Sequence, residues 1–287
     1  MNGIIDVGGG LRGIFGAGIF DRCLDDNISF DVCVGVSAGS ANIASFIAKQ
    51  RGRNYPFYTE YSSRKEYMSF QNMMKKGAYL DLEYIYGELS RENGENPLDY
   101  NAFFDYKGKF FVVASDGVTG KVHYFTKDDF RLDDLTPLIA SSTLPVFCDA
   151  CKLGDRYFYD GGLADPVPIE KAFSEGCDKV VLILTRPIDF VLPTTRDRTG
   201  AAALKRKYPG AAKLLRQRKA LYDEEIKIAK DYAAEGKCLI LAPDKEITDG
   251  IGTLTKDREK LDALYKNGYE EAAKIKKFLE EPIKKEA

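Results

Sequence analysis

Residues 31–40 read Asp-Val-Cys-Val-Gly-Val-Ser-Ala-Gly-Ser (DVCVGVSAGS). Asp31 to Val36 is a short apolar run opened by a charge, the pattern of a strand buried on both faces. Ala38 to Lys49 is rich in small residues and reads as a helix. Between them Gly35-Val36-Ser37-Ala38-Gly39 is a G-x-S-x-G pentapeptide. A strand that turns directly into a helix leaves room only for glycine beside the serine and raises the hydroxyl to the apex. The helix that starts at Ala38 points the positive end of its dipole at the same place. Ser37 is therefore a candidate nucleophile, and the competing reading is a serine that merely caps its helix.

Upstream, Ile4 to Val7 reads as another strand, and a helix with Ile14, Phe15, Ile19 and Phe20 on one face follows it. Gly8-Gly9-Gly10-Leu11-Arg12-Gly13 joins the two and matches G-x-G-x-x-G. Dinucleotide binding would require an acidic residue at the end of the second strand. Asp31 instead opens that strand, which ends in Ser37. No Gly-Lys-Ser/Thr follows the glycines, so a phosphate loop of the Walker type is excluded. Glycines before a helix also bring backbone N–H groups close to an anion, and a tight turn without chemistry stands beside that reading.

A serine nucleophile needs a base within reach. The chain has one histidine, His123, in a His-Tyr-Phe stretch that precedes the other candidates and reads as a strand. A carboxylate acting directly is the alternative. Asp160 ends the aromatic run Tyr157-Phe158-Tyr159 and is followed by Gly161 and Gly162. This places an acid on a turn at a strand end, where open sheets hold their ligands. A free aspartate is a weak base, and partial desolvation would strengthen it. Asp-Gly is also common in plain turns.

Taken together, the three motifs resemble the patatin-like phospholipase family. Its G-G-G-x-R/K-G element is similar to Gly8–Gly13, its G-x-S-x-G element to Gly35–Gly39, and its D-G-G/A element to Asp160–Gly162. Asp165-Pro166-Val167-Pro168 and the segment Ala140-Ser141-Ser142-Thr143-Leu144-Pro145 fit the same pattern. The resemblance covers residues 1 to about 185. It implies a three-layer α/β/α fold with a mostly parallel central sheet and a Ser-Asp dyad. Ser37 would be the nucleophile and Asp160 the base, with the N–H groups of Gly9, Gly10 and Ala38 as oxyanion donors. An acid often precedes the three glycines in the family. Here Val7 holds that place, and no role carries over to Asp6. Arg12 matches the basic position, where a salt bridge fixing the loop is expected ahead of contact with a substrate phosphate. The implied activity is hydrolysis of fatty-acyl esters through an acyl-enzyme, with no metal or cofactor. A catalytically idle lipid-binding protein on the same scaffold is the alternative.

Composition sets the remaining bounds. With 287 residues, 44% of them hydrophobic, the chain suits one large α/β domain. The expected division is a core over about 1–185, followed by a strand and long helices over about 186–287. A formal charge of −2 argues against a nucleic-acid partner. No apolar run approaches the ~18 residues of a membrane span, and the N-terminus shows no secretory pattern. The six scattered cysteines then read as reduced thiols of a cytoplasmic protein. The Cys148/Cys151 spacing, without a second pair, is weak support for zinc or redox chemistry.

Further elements are expected over Phe110–Ala114 and Val122–Phe125 as a hairpin, and over Lys179–Thr185 and Cys238–Ala242 as buried strands. Long helices are expected over about Ala211–Glu235 and Lys256–Glu280. The tyrosine- and phenylalanine-rich stretch 55–104 reads as acyl-pocket wall or cap core, and this stretch or 190–235 as a helical cap. The basic run 205–219 reads as a solvated helix face or as a contact with an anionic bilayer, peripheral to the membrane.

Overall fold

The structure, a computed structural model, describes residues 1–283. Eight strands form one sheet: β1 (Asn2–Asp6), β2 (Val32–Val36), β3 (Lys109–Asp116), β4 (Val122–Phe125), β5 (Cys151–Leu153), β6 (Arg156–Asp160), β7 (Lys179–Ile183) and β8 (Cys238–Leu241). Their order is β5-β6-β3-β2-β1-β7-β8, with β4 also on β3. β3, β2, β1, β7 and β8 are mutually parallel, while β4, β5 and β6 run antiparallel to their neighbours.

The central strands are apolar at nearly every position because both faces are covered. Ile4, Cys33, Val112 and Val181 point into the larger core cluster, and Ile5, Val34, Val113 and Leu182 into the second. Helices α1 (Ile14–Asp25) and α2 (Ala38–Ile47) and the helix Arg258–Glu271 cover the first face. Ile169–Ser174 and the 26-residue helix Pro209–Ala234 cover the second. This is the expected α/β/α sandwich. Residues 209–234 thus form a covering layer, with Ile226 and Ala229 packed on the sheet.

One expected helix, Lys256–Glu280, is in fact two. Asp257 caps the start, its carboxylate accepting from the Lys260 N–H at 3.2 Å, so the helix begins at Arg258. At Ala272 the ladder tightens, the Ile275 N–H donating to the Ala272 carbonyl at 3.0 Å. A second helix, Ala273–Glu280, carries the fully buried Ile275.

The register around β3 positions the site. Val112 and Val113 pair with β2 on one edge and with β4 on the other. Ala114 and Ser115 pair with β4 and with β6. A strand has two edges, so β6 occupies the edge of β3 on which β2 has just ended. Val36 lies opposite Val113 and Asp160 opposite Ala114. The ends of β2 and β6 therefore meet.

Candidate active site

Ser37 stands between β2 and α2 with φ 55° and ψ −133°. That region is sparsely populated by residues other than glycine, and strain of this kind is held only where surrounding contacts enforce it. Here the Ser37 N–H donates to Ser141 Oγ at 2.8 Å, and the Ser37 carbonyl accepts from the Ser40 N–H at 3.0 Å. The Ser37 side chain makes no capping bond to α2, so the capping reading fails.

Asp160, 6% exposed, faces this turn from the end of β6. Its N–H donates to the Thr143 carbonyl at 2.8 Å, and its carbonyl accepts from Ser115 Oγ at 2.8 Å. Its carboxylate accepts from the Gly162 N–H at 2.8 Å, and the Ser37 hydroxyl lies near enough to hold its pKa down. Burial raises the Asp160 pKa, while Ser37, the Gly162 N–H and the Arg218 charge oppose the rise in part. The net effect makes Asp160 a stronger base than a free aspartate. The segment Ala140–Pro145 holds both partners, through Ser141 and Thr143.

Gly8, Gly9 and Gly10 have φ of +63°, +136° and +61°. A Cβ on Gly8 would lie 2.3 Å from the Val36 carbonyl oxygen and 3.0 Å from the Ala38 nitrogen, so the glycine loop rests directly on the Ser37 turn. The N–H groups of Gly9, Gly10 and Ala38 have no acceptor among the turn, loop and cap hydrogen bonds of the described residues. Beyond Ser37 a cavity opens between α2 and the 55–104 stretch, walled by Phe57, Tyr58, Leu82, Ile85 and Leu138. Other aromatics of the stretch, Tyr61, Tyr100 and Phe103, are core. The stretch thus both lines the cavity and contributes to the core.

The family model described as patatin-like phospholipase matches residues 7–173. The chain belongs to the patatin-like phospholipase family. The matched residues span all three patatin motifs. A second family model, a domain of unknown function (DUF6363), matches residues 208–281. That second segment supplies β8 to the same sheet. The uncharacterized protein YjjU of Escherichia coli (strain K12) is 29% identical over 191 residues, 64% of this chain and 52% of YjjU. The chain thus spans about half the length of the curated relative it matches. A crystal structure of VipD from Legionella pneumophila aligns with a TM-score of 0.47 and 12% identity, covering 96% of this chain and 66% of VipD.

The patatin-motif arginine departs from expectation. Arg12 is buried but has no carboxylate partner among the described residues. Its Nη1 donates to Thr253 Oγ1 at 3.2 Å, and its Nε has no partner. Burial, with Arg186 and Arg218 nearby, pushes its pKa down to about 9. The acid that pins the loop is Asp6, one residue further from the glycines than the family pattern places it. Fully buried, its carboxylate accepts from the Gly8 N–H at 2.9 Å and from Asn42 Nδ2 at 2.9 Å, and burial pushes its pKa up to about 6. The only advance signal for Asp6 was a charge within an apolar strand.

Sequence reading also missed Thr253 and Leu254, which reach the cavity from the second matched segment. The Thr253 carbonyl accepts from the Leu11 N–H at 2.9 Å. No local pattern marks a residue that acts 240 positions away in sequence. His123 has its ring against Phe125 and Phe158 and its Nδ1 3.3 Å from Arg156 Nη1. All six cysteines are free, Cys148 and Cys151 included.

Downstream of Asp160, Asp165 meets Glu225 of the long helix. The Glu225 carboxyl hydrogen-bonds Asp165 and accepts from the Val167 N–H at 2.7 Å, and Tyr124 donates to Asp165. Burial, and then the Asp165 charge, push the Glu225 pKa up to about 9; Glu224 adds repulsion. Glu170 and Lys171 act on Asp165 with opposite signs. Between the ordinary 4.5 and about 9 the folded state holds a proton that the unfolded chain releases. Stability contributed by this proton therefore declines as pH rises through the window. Glu225→Gln keeps both hydrogen bonds without the titration. Denaturant midpoints measured from pH 5 to 9 should fall less for the variant than for wild type, and parallel profiles would refute the shared proton.

Proposed function

We propose that the protein is a serine acyl hydrolase that cleaves fatty-acyl esters of lipids through a Ser37–Asp160 dyad and an acyl-enzyme. The observation that carries this reading is the meeting of the strained, uncapped Ser37, which lines an apolar cavity, with the buried Asp160 carboxylate. Asp160 accepts the Ser37 proton as Oγ attacks the ester carbonyl. The N–H groups of Gly9, Gly10 and Ala38 receive the developing oxyanion, and losing one such donor typically costs on the order of 10²–10³ in rate. Protonated Asp160 then returns its proton to the leaving alkoxide. Water, deprotonated by Asp160, attacks the acyl-serine, and the fatty acid leaves as Ser37 recovers the proton.

Contact with an anionic lipid surface belongs to the same proposal. Arg218 and Lys219 are engaged by Asp197 and Asp223, while Lys205, Arg206, Lys207, Lys213 and Arg216 of the basic run are exposed. No helix among the described residues is long and apolar enough to cross a membrane.

The test is intact-mass analysis after incubation with a fluorophosphonate. Wild type should gain one adduct, Ser37→Ala none, and Asp160→Asn far less per unit time. An unlabelled wild type, beside a control hydrolase that labels, would favour the idle lipid-binding alternative.

A further inference from the structure

The cavity beyond Ser37 has largely apolar walls but includes one charge. Arg53 is the one charged side chain among the described residues that line it. Its guanidinium is held from several sides. Nε donates to the Pro97 carbonyl at 3.1 Å, Nη1 to Ser45 Oγ at 2.8 Å, and Nη2 to Ser90 Oγ and the Asn96 carbonyl, both at 2.9 Å. Its plane lies over Phe57, 5.0 Å from the ring centroid. Guanidinium has five N–H donors, and these bonds leave one on Nη1 unused. Every partner is neutral, and the only charge interactions of Arg53 are with tyrosines. The group is nearly satisfied in hydrogen bonds yet uncompensated in charge. Even a half-buried cation without a counter-ion is costly, whereas neutral side chains make comparable ties without that penalty. The rigid mounting suits a charge kept ready for an anion.

Resting on the hydrolase reading above, the geometry points to a carboxylate subsite at Arg53 in the wall of the acyl cavity, so that the preferred acyl chains are of medium length and carry a terminal carboxylate. Ser45, to which Arg53 is anchored, lies eight residues beyond Ser37 along α2, which is about 12 Å at the helical rise. An extended alkyl chain with 1.52 Å bonds advances roughly 1.25 Å per carbon, so about nine or ten carbons span the distance. The ester carbonyl then sits at Ser37 while the far carboxylate takes the free Nη1 N–H. The neutral walls between them accept methylenes.

The experiment compares hydrolysis of 4-nitrophenyl decanoate with that of the mono-4-nitrophenyl ester of decanedioic acid at pH 7.5, using the full chain. The carboxylate ester should show kcat/KM at least about tenfold higher, the scale of a charge-assisted hydrogen bond. Arg53→Met should bring the ratio below one, and Arg53→Lys should restore part of it. Equal or faster hydrolysis of the decanoate by wild type overturns the subsite while leaving the hydrolase reading intact. If neither ester turns over, the hydrolase reading is what fails. Calorimetric titration of Ser37→Ala with decanedioate and with decanoate decides the subsite in that case. Tighter binding of decanedioate supports it, and equal or weaker binding overturns it.

Discussion

Asp160→Asn is expected to lower kcat/KM for acyl esters by about 10⁴-fold, the scale reached when the proton-handling machinery of a serine hydrolase is disabled. The fold should survive. Asparagine Oδ1 still accepts from the Gly162 N–H, and the backbone bonds to Thr143 and Ser115 do not involve the side chain. The buried carboxylate is held above its ordinary pKa of 3.8, so ionising it works against the folded state as pH rises through that shifted value. Removing the charge should therefore leave Tm at pH 8 unchanged or higher, an instance of function held at the expense of stability. For wild type, the acid limb of kcat/KM should lie above 3.8, because only the ionised carboxylate accepts the Ser37 proton. Activity within tenfold of wild type in Asp160→Asn would remove Asp160 from the chemistry.

Gly39→Ala should be strongly damaging although it adds a single methyl group. Its Cβ would lie 2.2 Å from the Asp6 carbonyl oxygen and 2.7 Å from the Asp6 carbonyl carbon. Neither atom can withdraw, since Asp6 ends a strand paired on both edges and its side chain holds Gly8 and Asn42. The expected loss is about 3 kcal/mol or more. At roughly 2–4 °C per kcal/mol for a chain of this size class, Tm falls by about 6–12 °C. Gly252→Ala is the control, because a Cβ there meets only Thr255 Oγ1 at 3.4 Å. Equal thermal scans for wild type and Gly39→Ala would show that the two loops are not packed as described.

The proposed dyad depends on the second face of the molecule as well as the first. Arg218 and Glu225, both on the helix Pro209–Ala234, act on Asp160 and on Asp165 just beyond it. Thr253 covers the glycine loop from the next connection, its carbonyl oxygen 2.4 Å from where a Gly10 Cβ would stand. The segment matched to a domain of unknown function is thereby part of the site's surroundings.

What the sequence determined by itself is local. Each parallel strand announced itself as an apolar run, because burial on both faces demands it at nearly every position. The strand–serine–helix turn was legible because Gly35 and Gly39 are the residues that fit, and one histidine in a non-helical aromatic stretch turned attention to a carboxylate. The break at Ala272 was not legible, because apolar spacing continues across it while only the hydrogen-bond ladder changes. Pairing lay beyond reach too. β6 reads as a short aromatic strand, but its place on the β3 edge where β2 stops comes from contacts more than 40 residues apart in sequence, and only that register brings Asp160 to Ser37. The same holds for Asp6 beneath the glycines, Thr253 above them, and Arg53 in the cavity wall. Periodicity tells a residue which face it shares with its chain neighbours; which distant group it meets is decided when the layers pack.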